Sequence, residues 1–168
     1  MAKPNDLPKE NLKGWAMLCQ YVQLRKQLSN AEERLEAMRA SAAWLGAIKY
    51  DENGEPVDNN DVSSKQERMN ANLEELEKKL DQIFEKEGAA YERLTALLSH
   101  LPKEDELLLT MRYMDGCRWN DVNRAIYGVR SDFDERHRNY LKTIFKKHLR
   151  ALHNLEKLLE AEESGPEQ

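Results

Sequence analysis

The sequence predicts an all-α fold, a long antiparallel coiled-coil hairpin followed by a small helix-turn-helix module. Three observations predict it. Two stretches carry apolar residues in alternating steps of three and four. A break rich in Asn, Asp, Gly and Pro separates them. A run of short amphipathic segments, punctuated by Leu101-Pro102, Asp115-Gly116 and Gly128, then leads into a basic last helix.

Residues 1–9 hold two prolines and few apolar side chains, and are expected to be disordered. The first heptad series runs through Met17, Tyr21, Leu24, Leu28, Ala31, Leu35, Met38, Ala42 and Leu45. Gln, Arg, Lys and Glu fill the flanking positions, so residues 10–48 read as one helix. The break YDENGEPVDNNDVSS follows, with the turn placed at about 49–63. Asn53-Gly54 suits a tight turn, with Lys49-Tyr50 and Pro56-Val57 as a very short ribbon around it. Its acids do not match a calcium loop, which needs Gly at position six with the first Asp as position one; counted so from Asp51, Gly54 stands at position four. The second series is Met69, Leu73, Leu76, Leu80, Ile83, Glu87, Ala90, Leu94, Leu97 and Leu101, broken only at Glu87. Two such helices joined by a short turn most simply fold back on each other, so 10–100 is read as a hairpin for oligomerisation or partner binding.

The module is placed at 101–160. Pro102 opens its first helix and Lys103-Glu104-Asp105-Glu106 puts acid at the positive end. Asp115-Gly116 ends that helix with a glycine cap. A short helix from Trp119 to Tyr127 follows, closed by Gly128. The last helix is expected from about 138 to 160, packing inward through Leu141, Phe145, Leu149, Leu152, Leu155 and Leu159. Residues 161–168 are expected to form a disordered tail.

Charge is unevenly distributed. The chain carries −5 overall, but residues 118–157 hold ten Lys/Arg against five Asp/Glu. Arg138, Lys142, Lys146 and Arg150 recur in i, i+4 steps, with Asn139, Thr143 and Lys147 beside them. Like charges at that spacing cost an isolated helix roughly 0.2–0.5 kcal/mol per pair. Phosphates at about 1.7 Å per charge along duplex DNA would remove the cost. Asn139 and Thr143 are types that read base edges beside such contacts. Arg118, Arg136, Arg138, Asn139, Lys142, Thr143, Lys146, Lys147 and Arg150 are therefore the candidate DNA-binding residues, with Arg112 and Arg118 as phosphate clamps on the scaffold half.

LLTMRYMDGCRWNDVNRAIYG…YLKTIFKKHLRAL resembles the C-terminal region of sigma-like phage regulators of the ArpU and RinA type, related to the promoter-reading fourth region of bacterial sigma factors. Leu109, Arg112, Tyr113, Gly116, Trp119, Val122, His148, Ala151 and Leu152 carry the likeness, over about residues 101–157. It implies a sequence-specific duplex-DNA-binding transcription regulator of phage or prophage late genes, with RNA polymerase as a second candidate partner and the hairpin making a homodimer or higher oligomer. The alternatives are a small terminase subunit of a phage packaging machine, or a helical adaptor that binds no DNA.

The resemblance leaves the segment VRSDFDERHR with two accounts. In one, Ser131 caps an early helix and Asp134 completes the box, which brings Asp132, Asp134 and Glu135 to the reading end. In the other, preferred here, 129–137 is a loop or single turn, and the reading surface starts near Arg138. A single helix over 132–160 would overturn the preference.

His148 reads as a buried, hydrogen-bonded ring, and Trp119 and Tyr127 as core aromatics. No phosphate loop, nucleophile elbow or paired catalytic carboxylate is present, so no enzyme, cofactor or metal is expected. Cys19 and Cys117 lie outside any metal or disulfide spacing. With no apolar run of membrane length, the expected location is the cytoplasm of a bacterial host, without membrane contact.

Overall fold

Neither of the first two helical segments contains proline, and each is filled with good helix formers. In a computed structural model describing residues 9–45, 52–55 and 60–165, they form α1, Lys13–Leu45, and α2, Asn60–Ser99. A 3₁₀ turn at Lys9–Asn11 precedes α1, and Leu12 N–H bonds the Lys9 carbonyl at 3.0 Å. The first helix thus begins three residues later than position 10, while 46–48 lie outside the described residues. Residues 52–55 include a turn with Gly54 at φ 78°; the ribbon expected at Lys49-Tyr50 and Pro56-Val57, and most of the N-terminal segment, lie outside the described residues.

Three further helices complete the described chain: α3, Lys103–Leu109; α4, Trp119–Tyr127; and α5, Phe133–Ser164. All regular structure among the described residues is helical. Pro102 caps α3 rather than entering it, and its carbonyl accepts the Glu106 N–H at 2.9 Å. A π-helical turn, Thr110–Met114, continues α3, closed by Asp115 N–H on the Thr110 carbonyl at 2.9 Å. Gly116 then takes φ 71°, a left-handed conformation open to glycine at no steric cost, and Cys117 N–H reaches back to the Met111 carbonyl at 2.9 Å.

The chain divides into two compact units. Residues 24–87 form one. In it Leu35 and Ala42 are buried, while Leu24, Leu28, Ala31, Met38, Met69, Leu73, Leu76, Leu80, Ile83 and Glu87 are half-buried. Burial therefore follows the heptad series, and Arg39 meets Glu77 across the pair at 2.8 Å. The other unit joins residues up to 23 with those from 88 onward. Its core gathers Leu12 just before α1, Leu18 and Tyr21 from α1, and Leu94, Leu97 and Leu98 from α2. Leu108, Leu109, Met114, Val122, Ile144, Leu152 and Leu155 are among the side chains of the later helices that join it.

The last helix corrects the sequence reading in three respects. It begins at Phe133 and runs unbroken to Ser164, so 129–137 is not an inserted loop and 161–164 are helical. Its cap is Asp132, not Ser131, and no side chain closes that cap. Its buried face is Phe133, Ile144, His148, Ala151, Leu152, Leu155 and Leu159, leaving Phe145 and Leu149 outside. Tertiary contact sets this start: Phe133 is buried, Asn123 Nδ2 donates to the His137 carbonyl at 3.0 Å, and Tyr140 O–H donates to Asp132 at 2.8 Å.

Candidate nucleic-acid interface

Helices α3, α4 and α5 are positioned by an aromatic interior. Tyr113 and His148 share a 2.9 Å hydrogen bond, and Trp119 packs edge-on to His148 and Phe145 at 4.7 and 5.3 Å between centroids. Tyr127 stacks on Tyr140 at 4.7 Å. His148, Tyr127 and Trp119 thus occupy the interior places read from the sequence, Trp119 half-buried. Burial pulls the His148 ring down to about 4 and pushes the Tyr113 hydroxyl up to about 12.

Arg112 belongs to this scaffold. Its guanidinium donates to the Cys117 carbonyl at 2.8 Å and lies 4.9 Å from the Trp119 ring centre, so it holds the Gly116 turn against α4. Arg118 is the exposed cap residue of α4.

The other candidates all lie on α5, and the structure sorts them. Arg138, Asn139, Lys142, Thr143 and Lys146 are exposed. Among the described residues, Arg138, Lys142 and Lys146 make no ion pair. Thr143 O–H donates to the Asn139 carbonyl at 3.1 Å, which leaves its oxygen able to accept. Arg136 pairs with Asp132 at 3.4 Å. Tyr140, then Arg136, hold that Asp132 carboxyl below the ordinary range.

Lys147 and Arg150 point elsewhere. Lys147 pairs with Glu104 of α3, and Arg150 bridges Glu104 at 3.0 Å and buried Asp105 at 3.1 Å. Asn154 donates to the second Asp105 oxygen at 2.7 Å. Lys147, and then Arg150, keep the Glu104 carboxyl below its usual range. Two of the predicted cations therefore fasten α3 to α5.

Sequence reasoning missed Arg124, Asn120 and His137. They line an open groove between α4 and the start of α5 with Arg138, Asp121, Asp134 and Leu141. The signal was the early start of α5, which brings 134–138 onto the helix. The same start places Asp134 and Glu135 in its first turn, favourable for the helix dipole and repulsive to phosphate.

Among the described residues no group of His, Cys, Asp or Glu could hold a metal ion, and no helix is long and apolar enough to cross a membrane. No family model, curated protein or solved structure matches the chain.

Proposed function

We propose that this chain is a duplex-DNA-binding transcription regulator of phage or prophage genes, and that the exposed side of α5 meets the DNA. One observation carries the reading. Arg138, Lys142 and Lys146 form a row of cations without acidic partners among the described residues, on the last of the helices α3, α4 and α5. Successive members stand about 6 Å apart along the helix axis. Their mutual repulsion is relieved by a line of phosphates. Asn139 and Thr143, beside the row, supply base-edge contacts.

Since Asp134 and Glu135 occupy the first turn, the middle of α5 rather than its tip approaches the groove. In the same reading, α1 and α2 form an antiparallel coiled-coil hairpin over residues 24–87, the part that pairs protomers or contacts RNA polymerase.

Fluorescence anisotropy with labelled duplex tests the proposal. Three phosphate contacts per protomer give a loss of about 40-fold in affinity between 50 and 200 mM salt. Lys142→Ala or Lys146→Ala should weaken binding for every sequence and lower the salt slope by about 1, with helicity unchanged. Absence of duplex binding at 50 mM salt would overturn the reading.

A further inference from the structure

Phe145 and Leu149 are 45% and 38% exposed, although they lie on a helix whose other large apolar side chains are mostly covered. They continue a row begun by two cations: Arg138, Lys142, Phe145 and Leu149 follow one another at steps of four, three and four. That spacing draws a single seam along α5, the geometry by which one helix meets another. The seam is polarised, basic toward the start of the helix and apolar one to two turns on. Half-buried Trp119 widens the apolar end by its edge contact with Phe145 at 5.3 Å. Lys146, and Arg112 beside Trp119, add positive charge at the rim. An apolar strip with such a border is the surface a protein partner covers.

We infer that this seam docks an acidic amphipathic helix, whose carboxylates meet Arg138 and Lys142 and whose apolar side chains cover Phe145 and Leu149. Charge complementarity selects the partner, because residues 138–149 include no acid and the two cations have no ion-pair partner among the described residues, Asp121 and Asp134 bordering the row only at its Arg138 end. A single nucleic-acid strand fits less well. Stacking needs open ring faces, whereas Arg112 sits over Trp119 at 4.9 Å and Phe145 is in edge contact with the same ring. Arg138 and Lys142 also belong to the proposed duplex surface, so the partner helix and DNA exclude one another. That regulatory part rests on the DNA reading; the docking itself does not.

The probe is a labelled helical peptide of about five turns, with Leu and Phe on one stripe and Glu along its flanks. A peptide of identical composition, with its apolar residues scattered, is the control. Anisotropy is read for the full chain and for Phe145→Ser/Leu149→Ser, with circular dichroism of each. The wild type should bind the patterned peptide at least about tenfold more tightly than the scattered one. The double variant should lose that margin while its duplex affinity moves less than about twofold, and excess duplex should displace the peptide. If the double variant loses helicity, Leu149→Ser alone decides.

Equal binding of the two peptides, or equal binding of the patterned peptide to wild type and variant, overturns the docking site. So does a wild type that binds duplex but neither peptide, and the DNA reading then stands. A wild type that binds the patterned peptide but no duplex removes the DNA reading and keeps the docking site. If the variant instead loses affinity for a labelled single strand and not for the peptide, the seam is a nucleic-acid platform and the inference fails.

Discussion

At His148 the penalty for charging a buried ring dominates every other influence, and the positive charges of Lys9 and then Arg112 add to it. The folded value near 4 lies below the 6.5 of a free imidazole, so between those limits the unfolded chain binds a proton that the folded one refuses. The contribution to stability is complete above pH 6.5 and is lost as pH falls toward 4, reaching about 3 kcal/mol in all. Glu104 and Asp132, whose carboxyls are held low, lose their contributions at more acidic pH and leave the interval above pH 5 to the imidazole. Urea unfolding at pH 7.5 and pH 5 should differ by about 2 kcal/mol in the wild type. His148→Gln should abolish most of that difference even if it lowers stability at both values. An unchanged pH dependence in the variant would show that another group is responsible.

At the scale of the helix, α5 uses its cations in two ways. Arg150→Ala leaves Asp105, 1% exposed, with Asn154 as its remaining hydrogen-bonding side chain, and should cost about 1.5–3 kcal/mol. Lys147→Ala breaks a more exposed pair and should cost about 0.5–1 kcal/mol. Lys142→Ala and Lys146→Ala remove exposed side chains that make no ion pair among the described residues and should stay within about 0.5 kcal/mol, while lowering duplex affinity. Urea midpoints for the four variants, set beside their DNA affinities, should fall in opposite orders. The division was invisible in sequence because Lys146 and Lys147 differ only by the rotation of α5, which Ile144 and His148 fix through their burial. Phe145 and Leu149 misled for the same reason, since apolar identity alone assigned them inward. The two heptad series were legible because each repeats its signal over many turns, so one exception at Glu87 does no harm. The glycine turn after α3 was legible because the chain needs a positive φ there. The start of α5 was not, because its cap makes no side-chain capping hydrogen bond and its order comes from the burial of Phe133 and from the side chains of Asn123 and Tyr140, contacts that no local capping pattern announces.

Across the whole chain, the α3–α5 region is completed by residues at the opposite end of the sequence. Leu12, Leu18 and Tyr21 are at most 2% exposed and belong to the same core as Leu152 and Leu155. Gly14 permits the approach, since a Cβ there would meet Leu155 Cγ at 2.8 Å, and its N–H donates to Glu156 at 3.0 Å. Each of the three core side chains contributes about 1.5–3 kcal/mol by burial. Together they match a large part of the 5–15 kcal/mol that holds an ordinary domain folded. No residue of 24–87 is among the side chains of this core, and lengthening or shortening the chain that joins its two parts changes closure entropy slowly, about 0.6 kcal/mol per doubling. Removing residues 1–23 should therefore unfold α3–α5 or lower its denaturation midpoint severely. Replacing 24–87 by a short Gly/Ser linker should preserve cooperative unfolding, because Tyr21 and Tyr91 already bring the two cut ends together at 6.2 Å between ring centroids. Tryptophan fluorescence and far-ultraviolet dichroism during urea titration distinguish the two deletions. Gly14→Ala provides a milder version, with a cost of about 1–3 kcal/mol as Leu155 is forced aside. If the linker chain unfolds while the chain lacking 1–23 stays folded, the core is held by residues 24–87 and not by the start of α1.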